Sequence, residues 1–229
     1  VLSGAINFLR KLKEYRKIFY ILTNNSSRTP AQHLKKFNQL GLEVGLDNVL
    51  VSIQPLVDYL KQKEMKRVFW VANNEVGDYF QQEGLVLDED KPQAIVLTFD
   101  NEITYQKMEK LTHLVRTGVD YYATHCDIVC PTELGPVPDI GTFIKVIEMT
   151  TGKIPKKIFG KPNLSIVEPV LKKHRLHPRQ AVVVGDRLYT DIKMAQDSAI
   201  TSVLVLSGET KREDYEESEI KSDIVISDV

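Results

Sequence analysis

The sequence has few cysteines and no long apolar run. Its 229 residues include only Cys126 and Cys130, too few for the disulfide framework of a small secreted domain. No apolar run approaches the roughly 18 to 20 residues that span a bilayer, and the first residues lack the basic-then-apolar pattern of a signal peptide. We therefore expect a cytoplasmic protein without a membrane partner.

The chain also lacks an excess of charge and the common nucleotide-binding loops. It has 30 Lys and Arg against 31 Asp and Glu, whereas proteins that bind nucleic acid usually present a strongly basic surface. We therefore expect no nucleic-acid partner. Neither a Gly-x-Gly-x-x-Gly sequence nor a phosphate-loop sequence is present. The content of 42% hydrophobic and 27% charged residues is that of an ordinary globular protein.

Short β-branched or aromatic runs alternate with longer amphipathic segments. This alternation is typical of α/β units built on a parallel sheet. Near the start, the pattern predicts a helix over 4–14, a strand over 17–23 and a second helix that begins at Pro30. Near the end, it predicts strands over 181–185 and 201–206. We therefore predict an α/β fold with a Rossmann-like parallel sheet core and helices on both faces.

The middle of the chain carries a complete set of elements of its own. Strands are predicted over 67–72, 94–98 and 120–123, with helices near 54–63, 75–83, 104–117 and 140–151. This is enough for a smaller inserted α/β domain with its own core. We predict a core domain formed by residues 1–52 and 156–229, and an inserted domain over 53–155. No Gly/Ser-rich linker is present, so we expect two short hinges.

Polar residues follow the first predicted strand, in the order Thr23-Asn24-Asn25-Ser26. A hydroxyl and successive backbone N–H groups at the carboxyl end of a strand can bind a phosphate directly. Asn, Ser and Thr are also common turn and capping residues, so both interpretations stay open. As a phosphate site, the segment would use Thr23, Asn24 and Asn25.

Lys161 lies between a short predicted strand over 158–160 and a helix that follows Pro162. At this position its ammonium group can neutralise phosphoryl oxygens as a compact point charge. The alternative is an ordinary lysine solvated at the surface.

The most apolar predicted strand, 181–185, leads into a loop with two carboxylates, Asp186 and Asp191. Mg²⁺ typically binds one or two carboxylates together with water and phosphate oxygens. We therefore predict a magnesium site formed by these two residues. Asp191 could instead, or in addition, cap the helix that follows.

These three segments, in this order and each after a strand, resemble motifs two to four of the haloacid dehalogenase (HAD) superfamily. The resemblance is to the nitrophenylphosphatase or NagD-like branch, and it covers essentially the whole chain. The segments that carry it are Leu22-Thr23-Asn24-Asn25-Ser26, Gly160-Lys161-Pro162 and Gly185-Asp186-Arg187 with Thr190-Asp191. The inserted domain has the position and character of that branch's large (class IIa) cap, and residues 135–141 resemble its final loop and helix start.

The resemblance implies a Mg²⁺-dependent phosphatase that hydrolyses a small phosphomonoester. Thr23 and Asn24 would hold the phosphoryl group, and Lys161 would neutralise charge between it and the nucleophile. Asp186 would bind Mg²⁺, while Asp191 would orient the metal site or its waters. An aspartate would attack phosphorus, and water would then hydrolyse the aspartyl phosphate. Lys161 and Asp186 are thus the catalytic residues that we predict within the printed sequence.

The Asp-x-Asp motif that supplies the nucleophile in this superfamily is not found ahead of the Thr23 segment, where the superfamily places it. The resemblance places it shortly before Val1. Asp47, Asp58 and Asp100 cannot replace it, because none of them has the paired Asp-x-Asp spacing. We expect truncation rather than loss, since omission of a central strand would leave neighbouring strand edges unpaired. If the motif were truly absent, the alternative is a non-catalytic protein that binds a phosphate ligand or a partner.

By the same resemblance, a cap loop with His125, Asp127 and Cys130 reaches over the active site, which makes these residues candidate substrate contacts. His125, Cys126 and Cys130 could instead bind zinc, although structural zinc normally has four ligands. A packing role for both cysteines is a third interpretation. We expect a small phosphorylated metabolite as the substrate, because a large cap excludes macromolecules. The resemblance also allows a homodimer through the cap.

Overall fold

The computed structural model describes residues 4–229, which form nine helices and twelve strands within that range. The helices are α1 (Ala5–Glu14), α2 (Pro30–Gln39), α3 (Ile53–Gln62), α4 (Asn74–Gln82), α5 (Tyr105–Arg116), α6 (Ile140–Thr151), α7 (Glu168–His174), α8 (Lys193–Asp197) and α9 (Arg212–Glu217). The strands are β1 (Ile21–Thr23), β2 (Val49–Val51), β3 (Arg67–Val71), β4 (Val86–Leu87), β5 (Ala94–Leu97), β6 (Tyr121–Ala123), β7 (Val129–Thr132), β8 (Gly135–Pro138), β9 (Lys157–Ile158), β10 (Val182–Gly185), β11 (Thr201–Val205) and β12 (Ile224–Ile226).

The described chain divides into two compact units. The first unit contains residues 4–21, 34–49 and 161–229, and the second unit contains residues 22–33 and 50–160. The predicted domain boundaries at 52/53 and 155/156 stay a prediction. No helix among residues 4–229 has the length and apolar character needed to cross a bilayer.

The first unit contains a parallel three-stranded sheet in the order β10-β11-β12. Leu188, Ile192 and Leu204 form a buried apolar cluster in this unit. In this sheet β10 is an edge strand, and its residues Val182 and Val184 are 60% and 38% exposed. The apolar composition of β10 made the strand easy to recognise in the sequence. Two of its valine side chains are nevertheless exposed among the described residues.

The second unit is built on a five-stranded, all-parallel sheet in the order β4-β3-β5-β6-β9. Its core packs β3, β5 and β6 against α5 and α6 through buried aliphatic and aromatic side chains. Trp70 in β3 is also buried, and its ring packs against Phe80 of α4 with a centroid distance of 5.6 Å. An antiparallel hairpin of β7 and β8 precedes α6, and β1 pairs with β2 in a separate two-stranded sheet.

Helix ends in the second unit follow from local capping. Asn73, Thr104 and Asp139 precede α4, α5 and α6, and each side chain accepts a backbone N–H of the helix that follows. These side chains satisfy donors that the first helical turn leaves unpaired. Helix α6 ends at Gly152, whose φ of 71° lies in the left-handed region that glycine adopts without strain.

The structure differs from the sequence prediction mainly in short elements. Of the strand predicted over 17–23, only Ile21–Thr23 forms a strand in the structure. The helix predicted to follow Pro162 begins as a 3₁₀ turn over Leu164–Ile166 and becomes α-helical at Glu168. The short strands β2 and β4 and the hairpin of β7 and β8 were not predicted, because two to four residues carry too little periodicity to be recognised.

Candidate active site

Asp186 lies where the chain leaves β10 at the carboxyl edge of the first unit's sheet. Its Oδ2 accepts the backbone N–H of Glu209 at 2.9 Å, and its carbonyl oxygen accepts the N–H of Thr210 at 3.1 Å. Because β10 and β11 are parallel, the loops that follow them meet at the same edge. A carboxylate has about four acceptor sites, so Asp186 retains the capacity to bind a cation.

Lys161 and Asp191 form a buried ion pair beside this loop. The distance from Lys161 Nζ to Asp191 Oδ1 is 2.7 Å, and the two side chains are 13% and 9% exposed. The solvated alternative for Lys161 is therefore wrong. Asp191 Oδ2 accepts the backbone N–H of Arg187 at 3.3 Å, so its bonds run back to Lys161 and Arg187 rather than forward into α8. Buried charges are retained only when they are paired, and each of these two groups has its partner in the other.

The donor set of this loop fits a magnesium ion. Two carboxylates supply the hard oxygen ligands that Mg²⁺ prefers. The hydroxyl of Thr190, which is 1% exposed, has no hydrogen-bond partner among residues 4–229. A buried hydroxyl in a protein normally has a partner, so an oxygen from water or from a ligand is expected beside it.

Two residues of this site were missed by the sequence prediction. A Cβ on Gly208 would lie 2.2 Å from Asp186 Oδ2, so only glycine lets the backbone approach this carboxylate. Glu209 binds Asp186 through its N–H and pairs with Arg187 through its carboxylate, with an Nε–Oε2 distance of 2.6 Å. One feature of the sequence could have indicated Gly208 and Glu209: they follow the strand predicted over 201–206 and so lie at the same sheet edge as Asp186.

In the second unit, Thr23 and Asn25 form a turn after β1. Thr23 Oγ1 accepts the N–H of Asn25 at 3.1 Å, and Asn25 Oδ1 accepts both the N–H and the hydroxyl of Ser27. The turn interpretation is therefore confirmed for this segment. The phosphate-binding role of Thr23, Asn24 and Asn25 stays a prediction, and the turn is compatible with it because the Thr23 hydroxyl, which accepts in the turn, can still donate.

The predicted cap residues His125 and Asp127 lie in a buried polar cluster of the second unit. Potential metal-ligand atoms of His125, Asp127 and Asp139 lie within 4.8 Å of one another. His125 Nε2 is 2.9 Å from Asp139 Oδ1, and Asp127 accepts the side-chain amide of Asn24. Hydrogen bonds thus account for the cluster, and no feature of it requires an ion.

The two cysteines are free thiols outside this cluster. Burial, followed by the charge of the neighbouring Asp127 carboxylate, raises the pKa of the Cys126 thiol to about 11. At neutral pH the thiol of Cys126 is therefore protonated, which disfavours it as a zinc ligand. Cys130 lies on β7, and its role as a substrate contact stays a prediction.

Two family models match the chain at its two ends. Residues 1–86 match the model described as haloacid dehalogenase-like hydrolase. Residues 158–229 match a HAD-hydrolase-like model.

Several known proteins are similar over almost the whole chain. A 4-nitrophenylphosphatase from Thermotoga maritima is 39% identical with a TM-score of 0.94, over 100% of this chain and 88% of that protein. A 5'-nucleotidase from Bacillus subtilis is 29% identical over 93% of this chain and 83% of its own length. A glycerol phosphate phosphatase from Mycobacterium tuberculosis, solved with magnesium, is 25% identical with a TM-score of 0.89, over 99% of this chain and 69% of that protein.

The parallel α/β architecture and the charged groups at the carboxyl edge of a sheet agree with the similarity to known phosphatases, which identifies the protein as a phosphoric monoester hydrolase. The chain belongs to the haloacid dehalogenase-like hydrolases, in the branch of the 4-nitrophenylphosphatases and NagD-like proteins. The family and fold class predicted from the motifs are therefore confirmed.

Proposed function

We propose that the protein is a Mg²⁺-dependent phosphatase of small phosphomonoesters, which acts through an aspartyl-phosphate intermediate. The observation that carries this proposal is the buried pair of Lys161 and Asp191 beside the Asp186 loop. It combines a fixed cation with carboxylate oxygens at one sheet edge, as transfer of a phosphoryl group requires. The names of similar proteins, a 5'-nucleotidase, an acid sugar phosphatase and a dihydroxyacetone phosphatase, indicate that these relatives act on small phosphorylated compounds.

Each residue of the first unit would have a separate role. Lys161, held by Asp191, would present its ammonium group to the phosphoryl oxygens and balance their charge as the bond to the leaving group breaks. Asp186 and Asp191 would hold Mg²⁺, which when bound supplies Lewis-acid stabilisation of phosphoryl charge. The Asp191 carboxylate would also keep the ammonium group of Lys161 oriented through their hydrogen bond of 2.7 Å.

The remaining roles follow from the resemblance. The nucleophile would be the aspartate that the resemblance places shortly before Val1, and Thr23, Asn24 and Asn25 would bind the phosphoryl group through hydroxyl and backbone N–H groups. His125, Asp127 and Cys130 would lie in the cap loop that selects the substrate. A homodimer through the cap and a cytoplasmic location belong to the same proposal.

Replacement of Lys161 tests this function. In the full-length protein, including any residues that precede Val1, Lys161→Met should lower kcat for 4-nitrophenyl phosphate by about a hundredfold or more, because one preorganised charge is lost. The substitution also leaves Asp191 buried without its partner, so kinetics should be measured well below the unfolding midpoint of the variant.

The matched control is Lys172→Met, which removes an exposed lysine that pairs with Glu168 on the surface of α7. This control should keep kcat within about twofold, since exposed pairs contribute little. A wild-type protein that binds phosphate without turnover would instead support the non-catalytic alternative. Equal kcat values for Lys161→Met and wild type would refute the role of Lys161.

A further inference from the structure

The carboxyl edge of the second unit's sheet is joined to the predicted phosphate-binding segment by side-chain hydrogen bonds. Ser26 Oγ lies 2.8 Å from Thr124 Oγ1 and accepts the N–H of Phe99 at 2.8 Å. Asn73 donates its amide to the carbonyl oxygen of Ser27 at 2.8 Å. Because β3, β5 and β6 are parallel, the residues that follow them form one continuous edge. The segment 24–27 is thus fixed along this edge by the loops of three strands.

The side chain of Asn24 makes buried contacts that a backbone turn does not need. Its side-chain amide donates to both oxygens of Asp127, with N–O distances of 3.2 and 3.4 Å. On its other side, a Cβ on Gly160 would lie 2.5 Å from Asn24 Oδ1, so the amide packs directly against the glycine backbone. Asn24 and Asp127 are 5% and 4% exposed. The orientation of the Asn24 side chain is therefore set by buried neighbours.

Asp127 is itself fixed by the start of α6. Its carbonyl oxygen accepts the N–H of Gly141 at 2.8 Å. Two residues earlier, His125 is bound to Asp139, which caps the same helix through the N–H of Ile140 at 2.7 Å. The loop that contains Asp127 is thus hydrogen-bonded to the start of α6. A side chain on a loop anchored in this way loses little conformational entropy when it binds a partner.

We propose that Asp127 is a positioning residue for the phosphate-binding segment and acts through Asn24 rather than by contact with the leaving group. It holds the Asn24 side chain so that the backbone N–H groups of this segment keep one orientation toward the phosphoryl group. A carboxylate close to an anion site disfavours the anion through charge repulsion. The useful property of Asp127 is therefore its acceptor oxygen and not its negative charge. This proposal rests on the proposed phosphatase function.

Two substitutions separate these properties. Asp127→Asn keeps an acceptor oxygen for the Asn24 amide but removes the charge, whereas Asp127→Ala removes both. The measurement is the inhibition constant of inorganic phosphate for the full-length protein, together with KM and kcat for 4-nitrophenyl phosphate and glycerol phosphate. Inorganic phosphate has no leaving group, so its affinity reports only on the phosphate-binding residues.

We expect Asp127→Ala to weaken phosphate binding by about tenfold, which corresponds to about 1.4 kcal/mol, and to impair both substrates by the same factor. Asp127→Asn should stay within about threefold of wild type, since the hydrogen bond to Asn24 remains. A direct contact with the leaving group would instead change KM for one substrate more than for the other and leave phosphate inhibition unchanged. That result would overturn the proposal, as would equal losses in both variants.

A double-mutant cycle tests whether the effect passes through Asn24. In an Asn24→Ala background, Asp127→Ala should produce no additional weakening of phosphate binding, because the residue through which it acts is already absent. Full additivity of the two losses would contradict the mechanism. The matched control is Asp120→Ala, which removes a half-exposed carboxylate paired with Lys156 before β6. It should leave phosphate affinity unchanged.

Failure of the inference can be distinguished from failure of the proposed function. If the wild-type protein hydrolyses phosphomonoesters and Asp127→Ala does so with unaltered phosphate inhibition, only the positioning role is wrong. If the wild-type protein neither hydrolyses them nor binds inorganic phosphate in calorimetry, both are wrong. Thermal unfolding of each variant shows whether a loss of binding reflects loss of fold.

Discussion

Buried charge separates the residues of the candidate active site from the other charged residues of the first unit. Lys161 and Asp191 are both less than 15% exposed, whereas Lys193 and Asp197, which pair one helical turn apart, are 41% and 51% exposed. Burial of two charges carries a large desolvation penalty, so an ion pair of this kind is weak evidence for stability. The presence of the Lys161–Asp191 pair at a strand end is better explained by a ligand that both side chains bind.

The first prediction concerns Gly208, whose backbone lies against the Asp186 carboxylate. In Gly208→Ala, the new Cβ would fall within 2.6 Å of three Asp186 side-chain atoms, so the carboxylate must move. We expect the Mg²⁺ concentration for half-maximal activity to rise by about tenfold or more, as for other changes to groups that orient metal ligands. A Mg²⁺ titration of 4-nitrophenyl phosphate hydrolysis measures this.

The control for this prediction is Gly45→Ala. There the nearest atom to a new Cβ is Asn48 Oδ1 at 3.5 Å, an ordinary contact, and the Mg²⁺ requirement should not change. An unaltered Mg²⁺ requirement in Gly208→Ala would show that the position of the Asp186 side chain is not critical for metal binding.

Single-residue roles differed in how far the sequence could predict them. Lys161, Asp186 and Asp191 could be predicted because each follows a strand and belongs to a recognisable motif. Gly208 and Glu209 could not, since their importance depends on contacts with Asp186 that form only when β10 and β11 pair. The hydrogen bond between Asn24 and Asp127 could not be predicted either, because it joins residues far apart in the chain.

Elements with strong periodicity or clear caps were predicted well. Helices α3, α4, α5 and α6 lie within one or two residues of the predicted ranges, because their apolar stripes are long and Asn73, Thr104 and Asp139 cap the last three of them. The hairpin of β7 and β8 was missed, although residues 135–141 were recognised as a loop and helix start. Its exposed apolar residues and three prolines do not form an alternating strand pattern.

The second prediction concerns the pairing of the last two strands through Asp223. The backbone N–H of Ser202 and then its hydroxyl bind the Asp223 carboxylate, at 2.8 and 2.9 Å, and lower its pKa. A carboxyl group whose pKa is lower in the folded state stabilises the fold above its unfolded pKa of about 3.9, and this stabilisation is lost as the pH falls through the folded value.

Asp223→Asn should therefore unfold at a lower temperature than wild type at pH 7, and the difference should shrink as the pH is lowered below about 4. Thermal unfolding at several pH values measures it. The comparison variant is Glu216→Gln, which changes an exposed carboxylate on α9 and should show no such pH dependence. A difference that grows toward acid pH would contradict the proposed bonding of Asp223.

At the scale of the whole molecule, both units use the same principle of construction. Each contains a parallel sheet whose carboxyl edge carries polar side chains, which is where open α/β sheets bind ligands. The alternation of strands and helices was sufficient to predict this architecture. The assignment of individual segments to units could not be predicted with equal detail, because strand pairing such as that of β6 with β9 is not encoded by local pattern.

The central claim is that a metal ion held by Asp186 is required for phosphomonoester hydrolysis. The most direct test is the rate of 4-nitrophenyl phosphate hydrolysis by the full-length protein after chelation and after return of Mg²⁺, for wild type, Asp186→Asn and the surface control Asp197→Asn. We predict that chelated wild type and control are inactive and recover with Mg²⁺, while Asp186→Asn stays at least about a hundredfold slower at saturating Mg²⁺. Full activity of the chelated wild type, or of Asp186→Asn, would contradict the account.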